Sequence, residues 1–233
     1  PFANARASEN ALSSDHSRVL QFAPMSTEDD RRFVYTRQAS THREFVEFWA
    51  PRYYDAHEDR YTRNIRGPHT EETLRELFLW KEGDQYFASK LKSLNENFIS
   101  KREKAAKLPL DISPRQFLEQ EFPNGGRIYR IFWLHCWYPD RFPICDQHVH
   151  RAMIYIQDGR LDELENYKDQ EVIEFYLGRY LSFHEPFAKV ELPFDPSLDG
   201  VRSRKADRAL FTFGKCLLTS SLPRLRSIAS PSS

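Results

Sequence analysis

Between Phe122 and Ala152 the chain reads FPNGGRIYRIFWLHCWYPDRFPICDQHVHRA, and the residues in it with chemistry to offer fall into three groups. Asp146 stands just before the apolar-periodic run QHVHRAMIYIQ. An acid there either caps a helix, contributing about 1 kcal/mol, or serves as a reactive carboxylate. Gly125 and Gly126 belong to a Pro123-Asn124-Gly125-Gly126 turn that opens another helix. Paired glycines admit positive φ and leave main-chain N–H groups open to an anion such as a nucleic-acid phosphate. Arg127 and Arg130, in that helix's first turn, would add charge-assisted contacts. The third group is His135, Cys136, Cys145, His148 and His150. His148 and His150 are two apart on a helix and face different directions, so hydrogen-bonded or neutral histidines are expected and a metal site is not. Cys145 reads as a small buried hydrophobe beside His148 rather than as a nucleophile. No Walker, Rossmann, HExxH or GxSxG motif occurs.

These groups need helices to hold them. Phe45, Phe48 and Trp49 recur at helical spacing until Pro51 interrupts. Thr70 and two following acids open a helix with Leu74, Leu77 and Phe78 on one face, closed by Gly83. Leu91, Leu94, Phe98 and Ile99 predict another, followed by a charged run at residues 101–107 that reads as a solvated face. Ser113-Pro114-Arg115-Gln116 has a capping-box shape leading into FLEQEF. With the helix predicted over Arg127 to Trp137 and stopped by Tyr138-Pro139, it makes a helical hairpin about the glycine turn. DQEVIEFYLGRYLSFHE, amphipathic over four turns, and KADRALFTFGKCLL complete the set. No strand or two-residue hairpin signal appears, so the class is all-α. Trp133, Trp137, Tyr129 and Tyr138 are assigned to the core rather than to a stacking surface.

With 233 residues, 40% of them hydrophobic and 14% aromatic, the chain can bury a core of one two-lobed domain. Lys and Arg equal Asp and Glu at 34 each, so any polyanion surface must come from local clustering. The C-terminal end supplies some: after Ser197, Arg202, Arg204, Lys205, Arg208, Lys215, Arg224 and Arg226 face only Asp199 and Asp207. Three cysteines without CxxC spacing exclude a disulfide scaffold, a four-cysteine zinc site and an iron-sulfur cluster, and a reducing, intracellular compartment is expected. No apolar run approaches the roughly 20 residues that span a bilayer, so no membrane partner is expected. Residues 1–30 and 221–233, rich in small and polar types, are expected to be tails outside the fold.

The combination of hairpin, helix, loop and acid resembles the helix-hairpin-helix DNA glycosylase superfamily, which includes endonuclease III and the adenine glycosylases. Phe122, Pro123 and Gly126 match its hairpin. Phe142-Pro143-Ile144-Cys145-Asp146-Gln147-His148-Val149-His150-Arg151 matches its second half without a gap, and the interval from Gly126 to Asp146 agrees. About 31 residues carry the likeness. It implies a first lobe over residues 69–137 and a second over 31–60 with 140–220. It also implies Asp146 as the carboxylate that stabilises an oxocarbenium-like transition state on a flipped-out nucleotide. Damaged or modified duplex DNA is the implied partner, met by Pro123, Asn124, Gly125, Gly126, Arg127, Arg130, His148 and Arg151, with no cofactor and as a monomer. Two departures matter. Ile128 stands where the bifunctional enzymes carry a Schiff-base lysine, so base release without strand cleavage is expected unless a lysine comes from elsewhere in the chain. Asn124 and Gly125 replace a glycine and an apolar residue in the hairpin. A DNA-binding module of this fold without catalysis, and a helical interaction protein in which the turn is a turn and the acid a cap, are the competing readings.

Overall fold

The computed structural model describes residues 39–83, 88–191, 201 and 203–220. The two expected tails lie outside these, as do residues 31–38 of the expected second lobe. The described residues are all-helical, without a strand.

Capping residues set several helix ends. Thr41 accepts the Glu44 N–H to open α1 (His42–Trp49), which runs into a 3-10 turn at Pro51. After α2 (Glu58–Asn64), Thr70 accepts the Thr73 N–H to open α3 (Glu71–Lys81), and Gly83, at φ 65°, follows its end. The next apolar stripe does not stay in one helix. α4 (Ala88–Asn97) stops before Phe98, and a 3-10 turn leads to the short α5 (Arg102–Ala105). Phe98 leaves the helix because its ring is taken into the core, 5.7 Å from Phe78 and 5.8 Å from Trp133. Ser113 caps α6 (Pro114–Gln116), which widens into a π turn over Phe117–Glu121, closed by the Phe122 N–H on the Phe117 carbonyl at 2.9 Å.

The helix after the glycine turn, α7 (Arg127–Trp137), is buried from Tyr129 to Cys136 on all sides, which is the pattern of a central rather than a surface helix. Asp146 caps α8 (Gln147–Asp158), and Gly159, at φ 68°, ends it. The long amphipathic stretch forms α9 (Asp169–Phe175), a π turn (Tyr176–Tyr180) and α10 (Leu181–Ala188), where one four-turn helix was expected. Helix α11 (Arg204–Ser220) closes the molecule by packing along α8 and α1. The closest approach is at Gly214, where an added Cβ would stand 1.9 Å from the His148 carbonyl oxygen. One continuous cluster of buried side chains, rich in aromatics, joins these helices except the short α6. Each fully buried chain of the size of Phe132 or Leu134 contributes about 1.5–3 kcal/mol.

Candidate active site

The loop before Asp146 is held by buried side chains from three directions. The Phe142 carbonyl can only accept, so His135 donates to it through Nδ1 at 2.7 Å; Nε2 then accepts from the Tyr61 hydroxyl at 2.8 Å. Burial pushes the His135 imidazole down to about 4, which keeps it in this neutral tautomer. On the π turn, Tyr176 and Tyr180 donate to the carbonyls of Pro143 (3.1 Å) and Ile144 (2.9 Å). These three bonds fix the main chain through residue 144, and the backbone delivers Asp146 in a set direction.

The two oxygens of Asp146 do different work. Oδ1 accepts the main-chain N–H groups of His148 (2.8 Å) and Val149 (3.1 Å), which is the helix cap. Oδ2 accepts from Lys81 Nζ at 3.0 Å, in a pair whose side chains are 15% and 8% exposed. Burial pushes the Asp146 carboxyl up, but the Lys81 ammonium, His148 and the Val149 N–H outweigh it and hold the group below the usual carboxylate range. Asp146 is therefore ionised at neutral pH. Burial also lowers the His148 imidazole against the opposing pull of Asp146. Its Nδ1 accepts from Arg151 at 3.1 Å, and its ring stands edge-on to Phe211 at 4.7 Å.

Asp146 and Lys81 sit on the wall of a cavity of about 670 Å³, large enough for a nucleotide-sized ligand. Gly126, Arg127, Ile128 and Tyr129 line it from the start of α7, together with His148 and Phe211. The far end is polar. There Arg204 donates to Glu58 (Nη2 to Oε2, 2.7 Å) and to the Tyr53 hydroxyl (3.2 Å), with its guanidinium over the rings of Tyr61 (4.4 Å) and Trp80 (5.0 Å). Asp207, buried beside it, accepts from His184 at 3.0 Å.

The glycine turn is not symmetrical. Gly125 has φ 97°, and a Cβ there would lie 2.6 Å from the Phe98 ring, so this glycine is required by the fold. Gly126, expected to share that role, has φ −62° and open space around its Cβ position. It is the N-cap of α7 and offers no side chain to the first-turn N–H groups, which leaves them at the cavity edge.

Of the residues singled out from sequence, Asp146, His148, Gly126 and Arg127 line the one cavity, and Pro123 and Asn124 are exposed on the turn beside it. Arg127 is tied to Asp169 at 2.8 Å. Two assignments need correcting. Arg130 is buried, and its guanidinium donates to the carbonyls of Phe122 (3.1 Å) and Leu118, bracing the hairpin from inside. Arg151 is buried as well, donating to Glu163 (2.8 and 2.5 Å) and to the Gly214 carbonyl (3.0 Å), and so joins α8 to α11. Neither guanidinium faces an outside phosphate, because each satisfies main-chain groups the core would otherwise strand. Tyr129 alone of the four aromatics weighed above lines the cavity; Trp133 and Tyr138 are core. Burial pushes the Cys145 thiol up, away from thiolate chemistry.

Sequence reasoning passed over Lys81, and it counted Arg204, Arg208 and Asp207 as charges of a basic end, whereas all three are buried and Arg208, like Arg204, donates to Glu58 (2.8 Å). Their common signal is a charge on an apolar helix stripe. Lys81 continues Leu74, Leu77 and Phe78 at i+7, i+4 and i+3, and Asp207 shares the buried face of α11 with Leu210 and Gly214. No helix among the described residues is long and apolar enough to cross a membrane. Comparison of the chain with known protein families, with curated proteins and with solved structures found no match.

Proposed function

We propose that the chain hydrolyses the N-glycosidic bond of a damaged or modified base flipped out of DNA, and that Asp146 is the carboxylate at which this happens. The observation that carries the reading is the shared cavity. An ionised Asp146, its Oδ2 paired with Lys81, lines the same cavity as the uncapped start of α7 behind the Pro123–Gly126 turn. A carboxylate so placed stabilises positive charge growing on a deoxyribose ring and aligns water, while the main-chain N–H groups at a helix start suit the adjoining phosphate. Ile128, at the hairpin position, brings no amine to the cavity; the amine there is that of Lys81, paired with Asp146.

The test is a panel of duplexes, each with one modified base, scored by alkali-dependent cleavage. The expected result is release from at least one duplex, reduced about 10²–10³-fold in Asp146→Asn, with nicks only after alkali. A wild-type chain that releases no base refutes the proposal, and one that also binds no duplex at low salt removes DNA as the partner.

A further inference from the structure

We propose that Lys81 is a second catalytic residue of this cavity, the acid that protonates the departing base, and that the Lys81–Asp146 pair works as a proton-gated unit. This rests on the glycosidic reading above and adds to it a requirement on the leaving group. Lys81 Nζ meets Asp146 Oδ2 at 3.0 Å on the cavity wall, with its side chain 8% exposed. Among the described residues Asp146 is its sole hydrogen-bonded acceptor, with the Phe132 ring centroid 6.0 Å away, and an ammonium has three N–H bonds, so it can donate to a ligand while it holds Asp146. The other wall cations are committed: Lys90 to Glu82, Arg127 to Asp169 and Arg204 to Glu58.

The pair poses a problem that the protonation solves. While Lys81 is an ammonium, the pair is neutral overall, and Asp146 has little field left for a cation on the sugar. A base that departs from C1′ takes the bonding electrons and becomes an anion in need of a proton. An alkylammonium and such an anion are an acid and a base of comparable strength, the condition for general-acid catalysis. As the C1′–N bond breaks, a proton passes from Nζ to the base. The amine becomes neutral, and Asp146 is left uncompensated just as C1′ becomes cationic. This is stabilisation confined to the transition state. Water then adds to C1′ and gives a proton to the neutral amine. The products are the free base and an abasic sugar, with Lys81 an ammonium again.

The experiment compares wild type, Lys81→Met and Lys81→Arg on duplexes holding uracil, 5-fluorouracil or cationic 7-methylguanine, and on every base the wild type releases in the wider panel. The Arg variant keeps the charge and the ion pair, but a guanidinium does not give up its proton. The expected result is about a 10²-fold or greater loss for the most basic leaving group, a smaller loss for 5-fluorouracil, and the least for 7-methylguanine, which departs without needing a proton. Lys81→Arg should show the same order while melting within a few degrees of wild type. A loss equal across leaving groups, or rescue by Arg to within threefold, overturns the proposal and leaves Lys81 a structural partner. If the wild type releases only one base and that base leaves as an anion, the Arg variant on it decides; release of 7-methylguanine alone, which needs no acid, overturns the proposal. Release of none overturns the glycosidic reading, and this proposal with it.

Discussion

Replacing Asp146 by Asn separates the two tasks of its carboxylate. Asn retains an Oδ1 for the N–H groups of His148 and Val149, so the cap on α8 survives. What disappears is the charge facing Lys81, whose ammonium stays 8% exposed with no anion. Stranding one member of a buried pair costs about 3–5 kcal/mol. At roughly 2–4 °C per kcal/mol for a chain of this size, the melting temperature should fall by about 6–20 °C. Asp146→Ala should lose about a further 1 kcal/mol with the cap. Combining Asp146→Asn with Lys81→Met removes the stranded charge and should recover at least about 2 kcal/mol, a coupling that two independent losses cannot produce. The pH dependence has a fixed sign. The folded Asp146 carboxyl lies below its ordinary value, so its contribution is present above the ordinary carboxylate range and is lost as pH falls through the folded value. The gap between wild type and Asp146→Asn should therefore be constant near neutrality and close only in acid. Urea and thermal unfolding of Asp146→Asn, Asp146→Ala, Lys81→Met, the double variant and wild type, at pH 7 and again in acid, check all of this. An Asp146→Asn protein within about 1 kcal/mol of wild type, or a double variant no more stable than the sum of its parts, would refute the reasoning.

Three further outcomes follow from the packing. Gly125→Ala meets both a positive φ and the Phe98 ring, and should cost about 1–3 kcal/mol; Gly126→Ala, in open space, should stay within about 1 kcal/mol by urea titration while weakening any duplex binding read at low salt. Gly214→Ala drives a Cβ against the His148 carbonyl, where backbone faces backbone, and should cost about 1–3 kcal/mol, with NMR shifts at His148 and Phe211. His135 is held neutral with its value pushed from ordinary imidazole down to about 4. Its contribution of about 3 kcal/mol should be fully present above pH ~6.5 and lost as pH falls towards 4, and its ring resonances should not titrate above pH 5.

Helix ends were legible because their causes are local. Thr70, Ser113 and Asp146 each cap within three residues, and Gly83 and Gly159 follow helix ends at positive φ. The interruptions were not legible in the same way. Phe98 fits the apolar stripe of α4, and what removes it from that helix is a ring-shaped space between Phe78, Tyr129 and Trp133 that exists only after α7 docks. The π turn at Tyr176–Tyr180 lies inside a stretch of good helical period, and its two tyrosines bond carbonyls more than 30 residues away.

The same division runs through the site. Arg130 and Arg151 look from sequence like surface charge beside a turn and an acid, yet both donate inward to main-chain carbonyls. Lys81 looks like a favourable charge at a helix C-terminus, yet it is the partner of Asp146 from 65 residues away. The sequence by itself determined the all-α class, the capped helices, the glycine turn and the placing of Asp146 at the head of α8, since periodicity and capping act within a turn or two of chain. Only the tertiary structure decided which charges face the cavity. Burial commits each buried ion to whatever partner the packed helices bring within reach, and that partner is seldom near it in the chain.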